Sequence, residues 1–220
     1  MKFFFSILLC LGLGAVVSGQ ELKKVTKNNR FPCYSAREVF YVLKSNPEIR
    51  HGAYSNSLPG LSEKGQYDNG KRVGEWEFST PRGVVQIIDF SADKVIYNKP
   101  SEGVLKAWIL DDNDAVLGET DVKPIFIGGD SKLYINMLNC VRYPRQAQES
   151  HVQGKVFVSA VITKEGKMID EKVESGPGHG TNEEALRVFK LIPDEWLPYL
   201  VEGKPVNVKI QMAISFFLSN

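Results

Sequence analysis

From Lys204 to Phe216 the chain alternates without interruption, with Val206, Val208, Ile210, Met212, Ile214 and Phe216 at every second position. A period of two is the repeat of a strand that buries one face. The run is about twice the usual strand of roughly 5–6 residues. A last strand of that length is expected to carry unpaired backbone N–H and C=O groups along part of one side. Proteins blunt such edges unless a partner strand is meant to add there. The chain therefore reads as a binding module organised around that edge.

The elements before it fit a small mixed domain. Lys155 to Thr163 sets Val156, Val158, Ala160 and Ile162 on one face; Glu165-Gly166 turns the chain, and Lys167 to Glu174 returns with Ile169 and Val173 expected inward. Gly176-Pro177-Gly178-His179-Gly180 is not a phosphate loop. Pro177 removes a donor, no Gly-Lys-Ser/Thr follows, and Glu183 and Glu184 would repel an anion. Thr181 reads instead as a helix N-cap with Glu184 as its capping-box partner. Ala185, Val188, Phe189 and Ile192 form the apolar stripe, and Pro193 stops the helix. Upstream, Leu133, Tyr134, Met137 and Leu138 have helical spacing within Ser131 to Cys140. Pro144 biases Tyr143 towards extended geometry, and Arg145 to His151 makes a second helical turn.

The middle of the chain has another texture. Gly52-Ala53-Tyr54, Gly65-Gln66-Tyr67-Asp68-Asn69-Gly70-Lys71 and Gly74-Glu75-Trp76-Glu77-Phe78 alternate aromatics around turn residues. Asn69-Gly70 is a hairpin turn pair, because both residues tolerate positive φ. Tyr67, Trp76 and Phe78 are expected in a core. This unit resembles a variant MORN repeat, a β-hairpin module of scaffolding and interaction proteins. Val104 to Leu110 reads as one more strand. Asp111-Asp112-Asn113-Asp114 lacks the glycine and distal glutamate of a calcium loop and reads as a solvated turn. Pro124 and Gly128-Gly129 make residues 111–130 a breaker-rich linker.

The N-terminus bears on the compartment. Met1-Lys2, the apolar run Phe3 to Val17 and the small residues Val17-Ser18-Gly19 have the layout of a cleavable signal peptide over residues 1–19, with an uncleaved anchor as the alternative. Residues 20–51 are expected to be an irregular leader, although residues 35–43 suit a short strand or a helix equally. The chain holds 27 basic and 26 acidic residues and no basic stripe, which excludes a nucleic-acid surface. Export permits a bridge between Cys33 and Cys140, and spacing alone does not decide it.

Pro124-x-Phe126-x-Gly128-Gly129, Tyr143-Pro144-x-x-Ala147, Gln153-Gly154-Lys155-Val156, Gly166-Lys167, Glu184-Ala185-Leu186-Arg187, Pro193, Trp196-x-Pro198 and Gly203-Lys204-Pro205-Val206 occur in an order that resembles the C-terminal domain of the TonB family. The resemblance implies an α+β class, with a three-stranded antiparallel sheet packed on two helices over residues 131–220, after the MORN-like domain at 52–110. It also implies that the last strand pairs with a peptide of an outer-membrane transporter. The protein-binding residues would then be Cys140, Arg142, Tyr143 and Pro144, with Val206, Asn207, Val208, Lys209, Ile210, Gln211 and Met212 on the strand. The chain departs from a full transducer in lacking a Pro-rich spacer and in carrying Tyr199 after Trp-x-Pro.

The expectation is thus a periplasmic, non-enzymatic cell-envelope module that binds protein by strand addition and needs no metal or cofactor. A membrane-anchored energy transducer for transmembrane transport is the alternative, and a homodimer is left open. An enzyme would have to rest on a Cys140–His151 nucleophile pair, because His51, His151 and His179 lack metal-ligand spacing.

Overall fold

The computed structural model describes residues 21–30, 33–100 and 105–218; the expected signal peptide lies outside the described residues. The first seven strands form an antiparallel meander in chain order: β1 (Leu22–Arg30), β2 (Ser35–Leu43), β3 (Asn46–Leu58), β4 (Leu61–Asp68), β5 (Lys71–Thr80), β6 (Gly83–Asp89) and β7 (Lys94–Asn98). The irregular leader expected over residues 20–51 is therefore corrected. Its lysine-rich start has no apolar period of its own, but it pairs with β2 over its whole length, from Leu22↔Leu43 to Arg30↔Ser35. Strand formation there comes from the neighbour, not from intrinsic preference. Residues 35–43 resolve as strand, burying Ala36, Glu38, Phe40 and Val42 at every second position.

Turn chemistry closes the hairpins. Asn69 and Gly70 sit at φ 45 and 83 between β4 and β5, the positive values that a tight hairpin turn requires. The aromatics pack as a core: Trp76 is fully buried, with Tyr54, Tyr67 and Phe90 ring centroids 5.0, 5.2 and 5.9 Å away. Gly65 makes room for it, because a Cβ there would lie 2.3 Å from the Trp76 ring.

The second half holds β8 (Lys106–Leu110), β9 (Val116–Thr120), α1 (Gly129–Leu138), α2 (Arg145–Glu149), β10 (Gly154–Ile162), β11 (Met168–Ser175), α3 (Thr181–Phe189), β12 (Tyr199–Val201), β13 (Lys204–Val206) and β14 (Val208–Phe216). The sheet is five-stranded, in the order β11-β10-β14-β8-β9, where three strands were expected. The extra pair comes from residues assigned in the sequence reading to the middle domain and the linker, so the boundary expected at 110/111 falls inside the β8–β9 hairpin. The α+β class stands. One face of the sheet, made by Val156, Val158, Ala160, Ile162, Val208, Ile210, Met212, Ile214 and Phe216, is buried with Leu133 and Met137 of α1 and Ala185, Val188 and Phe189 of α3. Each buried Val, Leu, Ile, Met or Phe among them contributes about 1.5–3 kcal/mol relative to exposure.

Three local expectations are corrected. Gly180, at φ 85, is the N-cap of α3, while the Thr181 hydroxyl donates back to the Gly178 carbonyl at 2.6 Å, so there is no capping box. On β11 Val173 packs against the core as expected, but the residue buried at the start is Met168 and Ile169 is exposed, because Asp170 at φ 55 and a register shift against β10 turn the strand over. The long terminal strand is broken at Asn207: β13 pairs with β12, and β14 starts at Val208.

The halves are tied together by polar groups. Gln86 is fully buried in β6; its amide nitrogen donates to the Phe126 carbonyl at 3.0 Å and its oxygen accepts the Gly128 N–H at 2.6 Å. Lys132 of α1 stands 2.6 Å from both Glu63 and Glu195, and Arg72 reaches Glu195 at 3.3 Å. Cys33 and Cys140 are joined as a disulfide with Cα atoms 4.9 Å apart.

Candidate functional site

The expected edge is half occupied by the chain itself. β14 pairs with β10 along its full length on one side, from Val208↔Ile162 to Phe216↔Gly154. On the other side Val208, Lys209, Ile210 and Gln211 pair with Ile109, Trp108, Ala107 and Lys106 of β8. β14 is therefore an interior strand over its first half. Among the described residues, no strand pairs with residues 212–216 on the β8 side.

Backbone direction follows from one hydrogen bond. The Leu110 N–H donates to the Asn207 carbonyl at 3.0 Å, so the Asn207 backbone faces β8. Backbone groups alternate sides along a strand. Lys209 and Gln211 then face β8 as Asn207 does, while Ala213 and Ser215 present N–H and C=O on the same side, where no described strand pairs with them. Val208, Ile210, Met212 and Ile214 direct theirs to β10.

The expected site residues fall into two groups. Cys140, Arg142, Tyr143 and Pro144 lie at the Phe216 end: the Tyr143 ring meets Phe216 edge-on, with centroids 5.7 Å apart, and its hydroxyl donates to the Val152 carbonyl at 2.6 Å. The Arg142 N–H donates to Glu184 Oε1 at 2.6 Å, fastening the Tyr-Pro segment to α3. Burial works against the Glu184 carboxylate, yet its bonds from Arg187 and the Arg142 N–H hold it below the usual range. Arg187 also donates to the Cys140 carbonyl at 2.8 Å.

The other group sits at the far end of the strand. At about 3.3 Å per residue, the start of β14 lies roughly 26 Å from Phe216. Val206 is in β13, paired with Tyr199. The Asn207 amide accepts the Lys164 N–H and donates to Asp114, each at 3.0 Å, which pins the break in the strand. Val208, Ile210 and Met212 point into the core. Lys209 pairs with Glu174 at 2.8 Å and lies 5.9 Å from the Trp108 ring centroid. That end is covered by β8, whose residues read as a strand from their sequence but group there with the other half. Its pairing with a partner about a hundred residues later leaves no local signal.

The Cys140–His151 nucleophile pair is overturned, because the Cys140 sulfur is bonded to Cys33. Among the described residues, no helix is long and apolar enough to cross a membrane.

No curated protein and no solved structure matches the chain. Residues 140–218, roughly a third of it, match the family model of the Gram-negative bacterial TonB protein C-terminal; the seven-stranded meander and the β8–β9 hairpin lie outside the matched segment.

Proposed function

We propose that the C-terminal half is a protein-binding module of the cell envelope that accepts an extended peptide of an outer-membrane transporter as an added strand on the open stretch of β14. The match of residues 140–218 to the TonB C-terminal model supports the class of function. The backbone beside Tyr143, with which no described strand pairs, supports the location, because only an extended chain satisfies a row of main-chain donors and acceptors. The contact surface is then Arg142, Tyr143 and Pro144 with the backbone of Ala213 and Ser215. Lys209 and Gln211 become available only to a partner that displaces β8.

The mature chain is periplasmic in this reading. Outer-membrane extract passed over immobilised mature chain is expected to leave a transporter bound. Ala213→Pro, which removes an outward N–H without touching the β10 pairing, is expected to lose it while the far-ultraviolet spectrum stays native. Equal retention by Ala213→Pro would discard the edge as the site. N-terminal sequencing separates this reading from a membrane-anchored transducer, which would keep Met1 where the periplasmic form starts at Gln20.

A further inference from the structure

Away from β14, between the aromatic face of the first sheet and α1, lies a cavity of about 220 Å³. With roughly 30 Å³ per water in the liquid, that is room for about seven waters or one ring-sized solute. Its walls are charged and balanced. Glu38 pairs with Arg50 at 3.1 Å, Glu63 and Glu195 each hold Lys132 at 2.6 Å, and Glu195 also meets Arg72 at 3.3 Å. Three carboxylates answer three cations. An ionic ligand would leave one uncompensated charge in a poorly hydrated site, which is costly, whereas a neutral solute keeps the balance.

The charged groups are not equally accessible. Lys132 and Glu63 are 7% and 2% exposed and close the back of the cavity, while Arg50, Arg72 and Glu195 are 33%, 21% and 26% exposed. Both guanidinium groups are fixed against rings, Arg50 4.6 Å from the Phe40 centroid and Arg72 4.6 Å from that of Trp76. A guanidinium has five N–H donors. Arg50 directs one nitrogen to Glu38 and another to the Tyr67 hydroxyl, and Arg72 meets Glu195 and the Tyr67 hydroxyl; five donors on each guanidinium exceed these partners. Rigid donors, the Glu195 carboxylate beside Arg72 and the Tyr67 side chain in the same wall suit neighbouring hydroxyl groups, each of which donates and accepts at once.

We propose that this cavity binds a neutral polyhydroxylated ligand, a single saccharide ring, held by Arg50, Arg72 and Glu195. The site is independent of the β14 edge. The test is calorimetric titration and thermal shift of the disulfide-intact mature chain with a panel of neutral hexoses and N-acetylhexosamines, and with acetate and methylammonium as ionic solutes. At least one sugar is expected to bind saturably and raise the unfolding midpoint. Arg72→Met is expected to weaken it by about tenfold or more, in line with a lost hydrogen bond from a charged donor. Tyr67→Phe keeps the ring but removes the hydroxyl that holds Arg50, and is expected to weaken binding while lowering the unliganded midpoint by no more than the loss of a single hydrogen bond would. Ala213→Pro is expected to bind sugar as the wild type does. Absence of saturable binding across the sugar panel, or binding of acetate or methylammonium at least as tight as any sugar, overturns the proposal.

Discussion

Gly65 and Trp76 show how little slack single positions have. The indole occupies the space that a side chain at residue 65 would need, so Gly65→Ala drives a methyl into a fully buried ring. Overpacking of this kind costs about 1–3 kcal/mol, and thermal unfolding should show a midpoint lowered by several degrees; an unchanged midpoint would mean that the β4–β5 hairpin yields easily. Glu195 makes a second prediction. Burial raises its proton affinity, but Lys132 and Arg72 outweigh that, and the carboxyl ends below its ordinary value of 4.5. A depressed carboxylate contributes stability that is present above the unfolded pKa and lost as pH falls through the folded one. The midpoint of the wild type should therefore decline as pH drops below about 4.5. Glu195→Gln should be less stable at neutral pH and show a shallower acid limb, which does not vanish because Glu38 and Glu184 are depressed as well. An acid limb as steep as that of the wild type would contradict the assignment.

At the scale of elements, what was legible in the sequence depended on whether an element carries its own pattern. β14 and β10 alternate apolar residues and bury them as expected, and α3 buries its Ala185, Val188 and Phe189 stripe. The Asn69-Gly70 turn follows from backbone chemistry alone. β1 was missed because its strand character is borrowed from β2, and β8 was misassigned because its partner is distant in sequence. The consequence for the site is direct: occupancy of an edge is decided by long-range pairing, which period-two patterning does not report. The same reasoning sorts proline substitutions along β14. Proline at Ile210, Met212 or Ile214 removes an N–H used by β10 and should unfold the second half. Proline at Lys209 or Gln211 should release β8, and proline at Ala213 or Ser215 should leave the fold intact. Circular dichroism of the series checks the three classes; a native spectrum for Met212→Pro would refute the inferred alternation.

Among the described residues, the seven-stranded and five-stranded sheets are stitched by a disulfide and a buried ionic cluster, with β12–β13 as a small third sheet. Cys33 and Cys140 stand 107 residues apart in sequence, and closing a loop of about 100 residues lowers the entropy of the unfolded chain by the equivalent of roughly 4–5 kcal/mol on the chain-entropy account. Reduction, or the double replacement Cys33→Ser and Cys140→Ser, should lower the unfolding midpoint strongly; insensitivity to reductant would show that the ionic cluster and Gln86 alone hold the halves. Such a scaffold keeps the Tyr-Pro segment and the end of β14 fixed relative to each other, as a strand-adding site requires. The most direct measurement is amide hydrogen exchange along β14, with and without the captured transporter. The account predicts that the Lys209 and Gln211 amides are protected in both states, through β8, and that the Ala213 and Ser215 amides exchange quickly alone and become protected on binding. Unchanged exchange at Ala213 and Ser215, with protection gained on another edge such as β7 or β9, would contradict it.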